Sequence, residues 1–344
     1  MKPPAAAAKP DGPHGFHAKI LATGSAFPKK RLTNHDLAKI VDTSDEWIFA
    51  RTGIRTRRVA DIKGGDSNSG FALEAARKAL KRAKLEPAGL DMILYATVSP
   101  DRIIPAVSCI LQDKLGLKNI PAVDLSAACS GFVYGLSIAD AFVRSGQHKH
   151  VLVVGSEVLT SLVDWEDRGT CILFGDAAGV AIVGRAEPGE KSRILSTHLH
   201  ADGSLKELFW MEAGGSLLRV DEEVIRKRQN FMKMKGKEIY KEAVRTLVDC
   251  AIEALESNGL KIGELDWFIP HQANLRIIEA VAKRLDLPME RVITNIEQYG
   301  NTSSATVPTA LDAAVEDGRI KRGDLVLMDV FGAGLTFGSA LIRW

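Results

Sequence analysis

One order of pieces occurs twice in this 344-residue sequence, and that repetition constrains the fold more than any other feature. A helical pattern leads into LDMILYATVSP at Leu90, and another leads into LDWFIPHQANL at Leu265, each Leu-Asp pair opening an apolar run. VDLSAACSGFVYGLSIADAFVRSG from Val123 is answered by TNIEQYGNTSSATVPTALDAAVEDG from Thr294. In both, an extended run ends in a turn of small residues, a helical pattern follows, and a glycine closes it. HVLVVGSE at His150 is answered by DLVLMDVFGAG at Asp324. Generic strand–helix units can match by chance, but three blocks in one order point to gene duplication and to two similar α/β halves packed together. The expected division places one half at 17–190 and the other at 191–344.

Short apolar runs alternating with amphipathic helical patterns mark an α/β protein whose strands are covered on both faces. The expected strands are Asp91–Val98, Ala122–Ala127, Val151–Ser156, Trp267–Pro270, Val292–Ile296 and Leu325–Val330. Helices are expected at Gly70–Lys84, with Phe71, Ala75, Ala79 and Ala83 on one face, and at Gly131–Arg144. Residues 1–16 (MKPPAAAAKPDGPHGF) have no apolar core and no periodicity, so they are expected to be a disordered Pro/Ala-rich tail and not a signal peptide. The longest apolar stretch, Cys171 to Gly184, is interrupted by Asp176 and is shorter than the ~20 residues that span a bilayer, so no membrane partner is expected. With 45 basic against 43 acidic residues, the net charge of +2 also argues against nucleic acid as a partner.

Cys109, Cys129, Cys171 and Cys250 lie far apart without CxxC spacing, which fits reduced thiols of a cytoplasmic protein. Cys129, in SAACSGF just before a helix, has the context of a nucleophile: helix N–H groups lower a thiol pKa, and small neighbours admit a substrate carbonyl. The plainer reading is a buried small hydrophobe, which is the expectation for Cys109, Cys171 and Cys250. His271 (PHQAN) and Asn301 (YGNTSS) each follow an apolar strand, where ligands of parallel α/β folds gather. Together their N–H groups can hold one carbonyl oxygen as an enolate. Cys, His and Asn also serve papain-like hydrolases, so residue types alone leave the reaction open, although that fold is not a duplicated α/β body. His198 and His200 in THLHAD alternate on one strand face, but no carboxylate or cysteine constellation accompanies them, so no metal is expected. The glycines of FGAGLTFG are read as a tight turn under a site, since neither a helix nor an acidic residue follows at dinucleotide-binding spacing.

Taken together, the chain resembles the 3-oxoacyl-acyl-carrier-protein synthase III (β-ketoacyl synthase III) family of condensing enzymes. The resemblance runs from about Lys19 to Trp344 and rests on seven motifs in order: VDTSDEWIFARTGIRTRR, AACSGF, DRGTCILFGDAAG, STHLHADGS, PHQANLRII, YGNTSSATVP and FGAGLTFGSA. It implies the thiolase-like fold, two duplicated α/β halves forming a five-layered αβαβα body, and a homodimer. It also implies a decarboxylative condensation that starts type II fatty acid synthesis, joining an acyl-CoA primer to malonyl-acyl carrier protein with no cofactor or metal, coenzyme A being a substrate. By motif, Cys129 takes the acylated position, His271 and Asn301 the pair on the malonyl carbonyl, and the backbone amides of Cys129 and Ala333 the oxyanion contacts. Ala333 stands where many relatives have glycine, which narrows its φ range.

For coenzyme A, the resemblance implies an adenine sandwich of Trp47 and Arg168, polar contacts from Thr43 and Arg51, and channel walls from Gly236, Tyr240 and Asn274. Ile104, expected to reach across the dimer, and Phe132 are implied at the acyl pocket. Lys237, Lys241, Arg276, Lys283 and Arg284 form a basic patch suited to docking an acidic carrier protein. A relative in secondary metabolism, making a quinolone- or polyketide-type product, shares fold and triad. Ile104, Phe132 and the segment 208–219 are the positions expected to shape that choice.

Overall fold

The computed structural model describes residues 15–344. The first fourteen residues of the expected tail lie outside the described residues. Phe16 is not loose: the Arg185 guanidinium stacks over its ring at 4.0 Å.

Nine strands make two main sheets: β1 (Ala18–Ala26), β2 (Met92–Ala96), β3 (Ala122–Leu125), β4 (His150–Glu157), β5 (Ala177–Arg185), β6 (Arg193–Ala201), β7 (Trp267–Pro270), β8 (Leu325–Gly332) and β9 (Thr336–Arg343). The first sheet has the order β1-β5-β4-β2-β3 and the second β7-β8-β9-β6. In the first, β2 runs parallel to β3 and β4, and β5 antiparallel to β4 and β1. In the second, β7 runs parallel to β8, and β9 antiparallel to β8 and β6. Four strands thus repeat in the same order and sense, and the first sheet draws only on 18–185 while the second draws on 193–343. The fifth strand is where the halves differ. The strand expected at Val292–Ile296 is reduced to one parallel bridge from Val292 to Phe268. The Asn295 N–H goes to Gln272 Oε1 instead of to a strand, and the chain coils into a helical turn at Ile296–Tyr299.

Seven helices are named here: α1 (Asp45–Thr52), α2 (Asn68–Ala83), α3 (Val107–Lys114), α4 (Gly131–Arg144), α5 (Gly236–Glu256), α6 (Leu275–Arg284) and α7 (Thr306–Glu316). Helices α4 and α7 touch both sheets, α2 and α3 cover the outer face of the first, and α5 and α6 cover the outer face of the second, giving five layers αβαβα. The sequence explains the arrangement. Along β4, Val151 and Val153 join the core between the sheets, whereas Leu152 and Val154 join the core under α2. Such two-sided burial contributes about 1.5–3 kcal/mol per side chain and leaves no polar face. Helix α2 starts where the Ser67 hydroxyl accepts the Gly70 N–H, and it buries Phe71, Ala72, Ala75, Ala76, Ala79 and Leu80. Small residues there let it approach the strands closely.

Cys171 and Cys250 are buried as expected, but Cys109 is exposed. Helix α3 turns Val107, Ser108 and Leu111 inward, so Cys109 falls on its outer face. Among the described residues, no helix is long and apolar enough to cross a membrane.

Candidate active site

Cys129 and Asn301 occupy equivalent turns in the two halves. The short helical turn Ala128–Ser130 leads into α4, and Ser303–Ala305 leads into α7. Both turns hold a non-glycine residue in the left-handed region, Ala128 at φ 45° and Ser303 at φ 52°. Such conformations cost of order 1–3 kcal/mol and persist only where the surroundings impose them. The two turns pack against each other at the centre of the molecule. Close approach is enforced by glycine: a Cβ on Gly155 would lie 2.3 Å from Ser304 O, and one on Gly332 would lie 2.8 Å from Cys129 N.

Cys129, His271, Asn301 and Ala333 line one cavity of about 560 Å³. Asn301 is held by its own backbone, with its N–H on Leu173 O and its C=O accepting from Gly175 N. Its Oδ1 accepts the Ser303 N–H at 2.8 Å, which fixes the amide orientation. The Nδ2 protons are therefore left to face the cavity without a partner among the described residues. His271 is buried, and burial lowers its pKa to about 3, so the imidazole is neutral at neutral pH. Its Nδ1 lies 2.7 Å from Thr306 Oγ1, and that hydroxyl also lies 2.9 Å from Ser303 O. The hydroxyl has one proton: given to Ser303 O it leaves the ring proton on Nδ1, and turned to Nδ1 it leaves the ring proton on Nε2, so Thr306 is the residue that sets the tautomer.

The Cys129 thiol departs from expectation. Burial, with Ser303 hydrogen bonding and the Glu157 charge acting in opposite directions, pushes its pKa up to about 12. Desolvation outweighs the helix N-terminus because the sulfur lies beneath the turn, only 5% exposed. Glu157 is the hub below. Its Oε1 accepts from Ser303 and Ser304 at 3.1 Å each, and its Oε2 accepts from Thr97 at 3.0 Å and from Ser99. One fully buried carboxylate thus ties the loop after β2 to the turn carrying Asn301. Neither Glu157 nor Thr306 was singled out in the sequence, although both lie in its repeated blocks, HVLVVGSE and YGNTSSATVP.

Above the triad, Gly236, Tyr240 and Asn274 line the cavity with Ala243, Leu247 and Met234. Asn274 also caps α6, its Oδ1 accepting from Arg276 N and its Nδ2 donating to Arg51 O. Trp47, Arg51 and Arg168 stand at the same cavity. Here the expected sandwich is closed: the guanidinium groups of Arg51 and Arg168 lie 4.1 and 4.6 Å from the Trp47 ring. A base between indole and Arg168 needs roughly 7 Å, two contacts of about 3.5 Å, so the half-exposed Arg168 must swing out to admit one. Thr43 does not line the cavity, and its buried hydroxyl has no partner. Nor does Phe132, which is fully buried in the core between the sheets because α4 turns it inward beside Val133 and Leu136. Ile104 is 84% exposed on a loop, away from the cavity of its own chain. Lys237, Lys241, Arg276, Lys283 and Arg284 are all exposed on α5 and α6, Lys237 and Arg276 reaching the cavity. None of the five forms an ion pair among the described residues, whereas Arg245 beside them is neutralised by Glu242.

Comparison with known proteins follows the same lines. A family model described as 3-Oxoacyl-[acyl-carrier-protein (ACP)] synthase III matches residues 123–203, and the model of that family's C terminal region matches 255–344. The chain is 52% identical over 329 residues to a β-ketoacyl-acyl-carrier-protein synthase III of Xanthomonas euvesicatoria, covering 96% of this chain and 99% of the relative. The crystal structure of a 3-oxoacyl-acyl-carrier-protein synthase III from Aquifex aeolicus superposes with a TM-score of 0.87 at 48% identity, covering 95% of this chain and 100% of that one. The priming β-ketosynthase of the R1128 polyketide pathway superposes with a TM-score of 0.86 at 36% identity, covering 95% and 96%.

Proposed function

Because the chain belongs to the 3-oxoacyl-acyl-carrier-protein synthase III family, we propose that Cys129 is its acylated nucleophile and that His271 and Asn301 hold the malonyl thioester carbonyl. The reaction is that of an acyltransferase of fatty acid synthesis, joining an acyl-CoA primer to malonyl-acyl carrier protein. What supports the residue roles is one observation: thiol, neutral imidazole and an Asn amide with unpartnered protons converge from both halves on the floor of one cavity.

Cys129 Sγ attacks the acyl-CoA carbonyl, the bond to the coenzyme A sulfur breaks, and the thiol proton leaves with coenzyme A. The backbone amides of Cys129 and Ala333 face the oxyanion. Malonyl thioester then binds with its carbonyl oxygen on His271 Nε2–H and Asn301 Nδ2–H. The bond to its carboxylate breaks, CO2 departs, and the electron pair passes to the enolate that these donors stabilise. The carbanion carbon bonds to the acyl carbon, and Cys129 leaves and takes up a proton. No step requires a metal or redox cofactor. Trp47 and an outswung Arg168 stack the adenine, Arg51 flanks the nucleotide, and Gly236, Tyr240 and Asn274 wall the pantetheine arm.

The protein works in the cytoplasm as a homodimer. Strand β3 is the free edge of the first sheet with Val123 exposed, and the neighbouring Ile103 and Ile104 are 85% and 84% exposed. An apolar unpaired edge of this kind is covered in stable proteins. Dimerisation there lets Ile104 reach the partner's acyl pocket.

Intact-mass analysis tests the reading. After incubation with acyl-CoA the chain gains one acyl group and keeps it until malonyl-carrier protein is added, whereupon 3-ketoacyl-carrier protein forms. Loss of the acyl group to water as free acid, with no condensation product, would identify a hydrolase instead. The docking patch has its own test. Arg276→Glu is expected to raise the apparent KM for carrier protein about fivefold, the size of a surface charge contact of ~1 kcal/mol, with that for acyl-CoA less affected. Equal effects on both substrates would remove the patch from docking.

A further inference from the structure

The two histidines of THLHAD acquire in three dimensions the partners they lack in sequence. Strand β6 turns Ser196, His198 and His200 toward α5, and one turn beyond Leu247, the last α5 residue at the cavity, that helix presents Cys250 and Glu253. Donor atoms of His200, Cys250 and Glu253 all lie within 4.8 Å of one another. Glu253 reaches both rings, with Oε2 2.6 Å from His200 Nε2 and Oε1 3.5 Å from His198 Nδ1. The far side of His198 is braced: its Nε2 lies 3.0 Å from Ser196 Oγ, which accepts from Asn258 Nδ2 at 2.7 Å.

Asp329 lies beside this cluster, in the same row as His198 and paired in register through Ser339. It is fully buried, and burial pushes its carboxyl well above the usual carboxylate range. No Lys or Arg is ion-paired to Glu253, Cys250 or Asp329 among the described residues.

We propose that His200, Cys250 and Glu253 bind one zinc-class divalent cation, with His198 steadying the Glu253 carboxylate and solvent taking the fourth position. Imidazole, thiolate and carboxylate donors select such a borderline metal. Tetrahedral zinc places its ligand atoms about 3.4 Å apart, within the 2.6–4.8 Å spacings present. Binding releases the Cys250 proton to solvent and leaves the thiolate on the metal. His200 and Glu253 are partly exposed, at 27% and 22% of their side chains, and provide the way in. The cation pins α5 to β6. It takes no part in the condensation, so the proposal stands independently of the residue roles given above.

The test is metal retention. Full-length protein, reduced and stripped with chelator, is loaded with Zn²⁺, freed of excess by gel filtration and analysed for metal and for thermal midpoint. About one zinc per chain and a raised midpoint are expected, and Co²⁺ should give thiolate charge-transfer absorption. Cys250→Ser and His200→Gln should each cut retention at least about tenfold and abolish the midpoint shift, while Cys109→Ser keeps both. A cooperative thermal transition in the metal-free state reports that each variant is folded. If Cys250→Ser fails to fold, the partly exposed His200→Gln decides. Less than stoichiometric zinc in the parent chain, equal retention in Cys250→Ser and His200→Gln, or loss in Cys109→Ser would overturn the site.

Discussion

Cys129→Ser is expected to abolish acyl transfer from acyl-CoA, with the acyl-enzyme mass absent and condensation reduced at least about a thousandfold, as when a nucleophile is removed from a preorganised site. Cys109, exposed on α3, and the buried Cys171 and Cys250 cannot substitute, because none lines the cavity with His271 and Asn301. The raised thiol pKa adds a second reading. With a value near 12 against the usual 9.0, only a minute thiolate fraction exists at neutral pH. Alkylation of Cys129 should therefore climb about tenfold per pH unit through the neutral and mildly alkaline range, without levelling off where an activated thiol would. Unchanged acyl labelling in Cys129→Ser would remove it as the nucleophile, and a plateau below about pH 8 would show that the helix N-terminus prevails over burial.

His271→Ala should separate the half-reactions. Acylation of Cys129 continues, whereas malonyl decarboxylation falls by about 10²–10³, the effect of losing one preorganised oxyanion donor. The pH profile bears on the same role. Burial lowers the His271 pKa from 6.5 to about 3, so the neutral ring that donates through Nε2 persists well below pH 6. Loss of decarboxylation should then occur only near the lowered value and not at 6.5. Retained decarboxylation in His271→Ala, or an acid limb at 6.5 belonging to this residue, would end its assignment to the enolate.

Much of this site was legible because its residues sit in strand-to-helix turns, and turn chemistry is local. Small residues around Cys129 and the glycine at 332 announce a close approach before any fold is known. Thr306 and Glu157 were not legible as functional. A threonine opening a helix and a glutamate ending an apolar strand are commonplace, and their roles arise from neighbours 35 and 146 residues away. Phe132 and Cys109 were misplaced for a related reason. Sequence gives the period of a helix, but which phase faces a cavity depends on the layers packed against it. The fifth strand of the second half failed because the Asn295 N–H is captured by Gln272, a contact invisible in local pattern.

The amino-acid sequence by itself determined the α/β class, the doubled architecture and the candidates Cys129, His271 and Asn301, since hydrophobic period, block order and turn residues are properties of short segments. Only the tertiary structure decided the electrostatics: burial depth lifts the Cys129 thiol, neutralises His271 and pushes the Asp329 carboxyl well above the usual range. It alone brings Cys250 and Glu253 beside the two histidines of β6, because desolvation and convergence depend on chain segments distant in sequence.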